Sequence, residues 1–140
     1  MHSTPTIASP TADRTETWPR AAQQVLAALD SQFPPMQERR KIARHRFNVS
    51  ASLQFGGTEG VDTPIYVRDV NSWAVGFLTP SRPASHAKAT ITIGTPDGQM
   101  LRARCLIRRC RAVEAGWFDC VLEFDLPQAA FSTEAIRRAA

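Results

Sequence analysis

The residues with the greatest chemical capacity in this chain are arginines. Arg39, Arg40, Lys41, Arg44 and Arg46 crowd one short segment, and Arg102, Arg104, Arg108, Arg109 and Arg111 crowd another. Every basic residue except Lys41 and Lys88 is an arginine, and the formal net charge is +4. The guanidinium presents a planar fork of donors that suits phosphates and guanine edges. Two such clusters point to an anionic partner: a nucleotide, a nucleic acid or an acidic protein surface. A plain solvated basic face is the alternative that asks least of the molecule. Between the clusters lies Asp69-Val70-Asn71-Ser72-Trp73-Ala74, a short acidic and polar stretch ahead of an apolar run.

Catalytic chemistry is poorly supplied. His2, His45 and His86 have no cysteine or carboxylate companions at metal-ligand spacing. There is no Gly-rich phosphate loop and no G-x-S-x-G nucleophile turn. Cys110 and Cys120 are placed to face each other across a turn at Ala115-Gly116, and no base accompanies them, so they read as buried apolar thiols. The expectation is a protein that is not an enzyme and carries no cofactor and no metal.

The chain has 140 residues, 43% of them hydrophobic and 21% charged, which suits one ordinary globular domain. No apolar run approaches the roughly 20 residues a spanning helix needs, so no membrane insertion is expected. The first residues lack a basic stretch followed by an apolar one, and the three cysteines do not suggest a disulfide scaffold. A reducing, cytoplasmic location is the expectation.

The elements that must hold these residues follow from periodicity. Residues 1–16 are rich in Ser, Thr, Pro and Ala and read as a disordered tail. Residues 17–35 read as an amphipathic helix and linker. Thr17 is the expected cap and Pro19 falls in the first turn; Trp18, Ala22, Val25, Leu26, Leu29 and Phe33 form one stripe, and Pro34-Pro35 ends it. From residue 45 the period changes to two. Strands are expected at Phe47–Phe55, Ile65–Val70, Val75–Leu78, Ala87–Ile93, Met100–Val113 and Trp117–Phe124, with a hairpin turn at Pro96-Asp97-Gly98. Along the long strand the apolar parity slips between Ile107 and Cys110, which predicts a β-bulge. Residues 132–140 read as a short C-terminal helix capped by Ser132. The expected fold is mainly β: a small antiparallel barrel of six to seven strands, with an N-terminal amphipathic helix and a short C-terminal helix.

Arg40-Lys41-Ile42-Ala43-Arg44 is an R-x-x-x-R segment that enters this barrel, and Asp69-Val70-Asn71-Ser72-Trp73-Ala74 follows in place of D-x-S-x-x-G. With the strand order and the ending Trp117-Phe118-Asp119-Cys120-Val121-Leu122-Glu123-Phe124, residues 36–131 resemble the PilZ domain family. The resemblance implies a non-catalytic bacterial receptor for cyclic di-GMP. It implies ligand binding by Arg39, Arg40, Arg44, Asp69, Asn71 and Ala74. Beyond what it implies, Trp73, Arg109 and Arg111 are additional candidates with Arg108 beside them, and a plain exposed face is the alternative for these arginines. Arginine forks suit guanine O6 and N7 and the phosphates, and Asp69 would accept from guanine N1 and N2. The arginine segment would be a mobile tail closing over the ligand, and Trp73 a stacking platform or a cap on the barrel.

Two positions depart from the family pattern. Asn71 stands in place of serine and Ala74 in place of the last glycine. If that glycine position needs a positive φ or close ligand approach, Ala74 is a handicap. A degenerate domain that contacts an effector protein instead is therefore the alternative function. Single-stranded nucleic-acid binding is a third, less favoured one, in which Tyr66, Trp73 and Trp117 would have to provide stacking.

Overall fold

In the computed structural model the described residues are 14–32, 42–56 and 61–139. Strands β1 (His45–Arg46), β2 (Ser50–Phe55), β3 (Thr63–Val70), β4 (Ala74–Thr79), β5 (Lys88–Gly94), β6 (Met100–Ala112) and β7 (Phe118–Phe124) form one antiparallel sheet. Its order is β1-β3-β2-β5-β6-β7-β4, and β4 pairs back onto β3. Six strands thus close into a barrel, and β1 is an extra strand on β3. Closure leaves the six barrel strands no free edge.

Of the strand expected at Phe47–Phe55, Ser50–Phe55 forms β2, while β1 (His45–Arg46) precedes it and residues 47–49 lie between the two. Between them, Phe47 donates to the Arg68 carbonyl and the Val49 carbonyl accepts from Val67, so the chain stays against β3 while regular pairing lapses. Asn48 is buried at the break, where its amide donates to the carbonyls of Val67 and Arg68. The register shifts between Ile107 and Arg109, the bulge that the parity slip predicts. A second shift, between Val67 and Asp69 on β3, has no counterpart in the sequence reading.

Inward-facing Leu53, Ile65, Val67, Phe77, Ile91, Ile93, Ile107 and Leu122 fill the barrel. Phe131 closes one end against Phe47 and Phe124, with ring centroids 5.7 and 6.1 Å away. Behind it comes α2 (Thr133–Ala139), capped as expected: the Ala135 amide donates to Ser132 Oγ at 3.1 Å. The hairpin turn at Pro96-Asp97-Gly98 is present, with Gly98 at φ 89°. Glycine reaches that region without steric penalty.

Helix α1 (Arg20–Gln32) lies on the outside of the barrel. Its stripe of Trp18, Ala22, Val25, Leu26 and Leu29 packs on Leu78 and Trp117, with Tyr66 between Trp18 and Trp117 at centroid distances of 5.4 and 5.7 Å. Thr17 is not its cap. It ends a short 3-10 turn, and its hydroxyl donates back to the Arg14 carbonyl. The first α-helical bond is instead accepted by the Pro19 carbonyl. Residues 14–16, included in the expected disordered tail, are placed by this turn and by Arg14 donating to the Asn48 carbonyl. Residues 1–13, Phe33 and Pro34-Pro35 lie outside the described residues.

Candidate functional site

The hairpin of β3 and β4 places the acidic stretch. Asp69 lies one residue beyond the β3 bulge, opposite Arg46 on β1 and Gly76 on β4. The chain leading into β1 brings Arg44 to it, and Arg44 Nε donates to Asp69 Oδ1 at 2.8 Å. The side chains keep 10% and 24% of their exposure, so this is a largely dehydrated ion pair that still reaches the surface. Two residues 25 positions apart, both singled out by sequence, are joined here.

Gly76 makes this seating feasible. A Cβ at position 76 would overlap Asp69 Oδ1, so the carboxylate lies directly over bare backbone. Sequence reading did not assign Gly76 a role. The available signal was a glycine in the middle of an apolar strand, which marks close approach by another group.

Asn71 organises the turn. Its Oδ1 accepts from the amides of Trp73 at 2.7 Å and Ala74 at 2.8 Å. Its Nδ2 donates to the Ile42 carbonyl at 3.1 Å, so it also ties the basic segment to the hairpin. With 5% exposure, Asn71 is spent on positioning the segment that carries Arg44. A serine hydroxyl has a shorter reach, and the amide supplies an acceptor and a donor at once.

Ala74 is buried as the first residue of β4, facing Glu123. Among the described residues only His86 and Ala115 are non-glycines with positive φ, so Ala74 is not left-handed. The conformational handicap considered for this alanine is absent, because strand pairing begins at this residue. Trp73, at the turn tip, is 45% exposed, and its carbonyl accepts from Phe124 at 2.8 Å. Its ring faces solvent rather than capping the barrel.

Arg39 and Arg40 lie outside the described residues. The other candidates separate by partner. Arg111 donates to Asp119, Arg108 sits 3.5 Å from Glu123, and Arg109 has no ion-pair partner among the described residues. Cys110 and Cys120 do face each other in register, as free thiols. Burial pushes both up, with each thiol also influencing the other, and it pushes Cys105 up to about 12. Such thiols stay protonated at neutral pH and are weak nucleophiles. His45 is engaged with Thr133 Oγ1 at 2.9 Å. Among the described residues no cluster of His, Cys, Asp and Glu could hold a metal ion, and no helix is long and apolar enough to cross a membrane.

No family model matches the chain, and no curated protein matches it. A solved structure shares its fold. Inhibitor of motility (MotI/DgrA) from Bacillus subtilis superposes with a TM-score of 0.59 at 15% identity, over 75% of this chain and 56% of that one. MrkH from K. pneumonia in its apo state gives 0.48 at 10% identity, over 74% of this chain and 48% of that one. The chain therefore spans about half the length of these two proteins. At such identities the likeness establishes the architecture: a closed six-stranded barrel with an additional strand and flanking helices.

Proposed function

We propose that this chain is a non-catalytic PilZ-type receptor module that binds cyclic di-GMP at the β3–β4 hairpin, with the basic segment closing over the ligand. The observation that carries the reading is the seating of Arg44 on Asp69 over Gly76. A purely structural barrel has no need of a largely dehydrated arginine–carboxylate pair that reaches the surface over bare backbone. The pair supplies the donor and acceptor types that a guanine edge requires, and Trp73, 45% exposed at the tip of the same hairpin, is a candidate for stacking. Arg40 and Arg39 complete the ligand set from the segment before Arg44. The family resemblance and the fold shared with an inhibitor of motility support a regulatory module rather than an enzyme. Its output would pass to an effector protein in a bacterial cytoplasm.

Calorimetric titration with cyclic di-GMP tests this, with GTP, GMP and cyclic di-AMP as controls. Saturable binding of cyclic di-GMP alone is expected. No heat from cyclic di-GMP, or equal response to all four, would overturn the reading. A second reading, a protein-binding domain without nucleotide, draws on one observation: Arg44 and Asp69 already satisfy each other, and both side-chain ends of Asn71 are engaged. Nucleic-acid binding loses its footing, since Tyr66 and Trp117 are packed against Trp18 beneath α1.

A further inference from the structure

On the outside of the barrel one row of facing residues crosses five strands: Arg46 on β1, Asp69 on β3, Gly76 on β4, Val121 on β7 and Arg109 on β6. The adjacent row of Phe77, Cys120 and Cys110 turns inward, so this row faces out. The next outward row contains Leu78, Asp119 and Arg111. At the β3 bulge Arg68 stretches across β4 to Asp119 Oδ2 at 2.9 Å, and Arg111 Nη2 reaches the same oxygen at 3.0 Å. One carboxylate oxygen is thus shared by two guanidiniums. Arg68 Nε is buried there without an acceptor, and Arg109 adds an exposed guanidinium with no carboxylate partner among the described residues. Helix α1 borders this surface, packed on Leu78 at one side and joined to Arg46 by Asp30 at 2.8 Å.

We propose that Arg68, Arg109 and Arg111 form a second, phosphate-binding subsite on this face, which takes a phosphate of the cyclic di-GMP whose guanine is held at Arg44 and Asp69. The inference rests on the reading of Arg44 and Asp69 given above. Three strand steps separate Asp69 from Arg109, about 14 Å along the surface at the usual interstrand spacing. A ligand engaging both ends must hold a base and a phosphate well apart, as a dinucleotide does. Asp119 does not repel it, since its charge is already taken up by two guanidiniums. The register also distinguishes three neighbouring arginines: Arg108 lies in the bulge and turns to Glu123, whereas Arg109 and Arg111 lie on the outward rows that carry Val121 and Asp119.

Titration of the full chain with cyclic di-GMP at several salt concentrations tests the subsite, using wild type, Arg109→Ala and Arg109→Lys. Arg109 has no ion-pair partner among the described residues, so Arg109→Ala should fold normally, which a thermal melt checks. It should bind roughly tenfold more weakly, and the slope of log affinity against log salt should flatten by about one. Arg109→Lys should restore most of both, because a phosphate accepts a point charge where a guanine edge demands the fork. Wild-type affinity and slope in Arg109→Ala would overturn the subsite and leave the Arg44–Asp69 reading standing. A loss that lysine does not repair would overturn its assignment to phosphate. Absence of any binding by wild type would remove both readings together.

Discussion

Gly76 carries a requirement that its own backbone does not impose. Its value lies in what sits above it, so Gly76→Ala should push Asp69 off its seat and break the contact with Arg44. Affinity for cyclic di-GMP should fall at least tenfold with the barrel still folded, measured by calorimetry beside a thermal melt. Ala74→Gly should do the reverse of repairing a defect. Ala74 already lies in strand conformation, so added unfolded-state entropy should destabilise the protein by about 0.5–1 kcal/mol and leave affinity flat. Tightened binding in that variant would show that ligand approach, and not backbone conformation, is the constraint at this position. Arg44→Ala should cost affinity tenfold or more, as for one lost bidentate arginine contact of about 1–3 kcal/mol. Because the Arg44–Asp69 pair is largely dehydrated, this variant should also melt lower than wild type, in contrast to an exposed pair such as Arg46–Asp30.

At the scale of elements, α1 and the barrel have separate cores. The stripe of α1 meets Leu78, Trp117 and Tyr66 outside the sheet, while the barrel interior is filled by its own strands. Each fully buried side chain of this kind contributes about 1.5–3 kcal/mol. Leu26→Asp should therefore undock α1 without dissolving the barrel. Amide exchange should rise in α1 while β5 and β6 remain protected, and Trp18 fluorescence should shift to the red. Uniform loss of protection would mean that the barrel cannot stand without its helix. The strand pair β6–β7 makes a different prediction through its thiols. Burial holds Cys105 and Cys120 protonated in the folded state, with Cys105 pushed up to about 12 from an ordinary 9.0. The unfolded chain releases these protons first, so this contribution is complete below about pH 9 and is lost as pH rises toward 12. Melting temperature should decline over that window, and the slope should be shallower in Cys105→Ala.

For the whole molecule, the proposed receptor reading requires that the closed barrel bind and release its ligand unchanged. Cyclic di-GMP incubated with the protein should remain intact by chromatography; appearance of linear dinucleotide or GMP from a phosphodiesterase-free preparation would contradict this. Affinity for long single strands at physiological ionic strength should stay weak and should not grow with their length. Two of the three aromatics that would supply stacking are enclosed between α1 and the barrel.

Periodicity in the chain by itself determined the elements, because whether a side chain points in or out depends on local backbone geometry. Alternation marked the strands, the parity slip marked the bulge after Ile107, and a polar residue before an apolar turn marked the Ser132 cap. The resemblance of two separate segments to a family's paired motifs put Arg44 and Asp69 forward as members of one site. Other features waited on tertiary structure because they depend on groups far apart in sequence. The Arg44–Asp69 pair forms only once β1 is laid against β3, and the need for glycine at 76 exists only when Asp69 folds over it. Asn71 could be assigned to positioning only when the Ile42 carbonyl came within its reach. The division of labour among Arg108, Arg109 and Arg111 depends on which carboxylates the β7 register sets opposite them, and no spacing along a single strand encodes that.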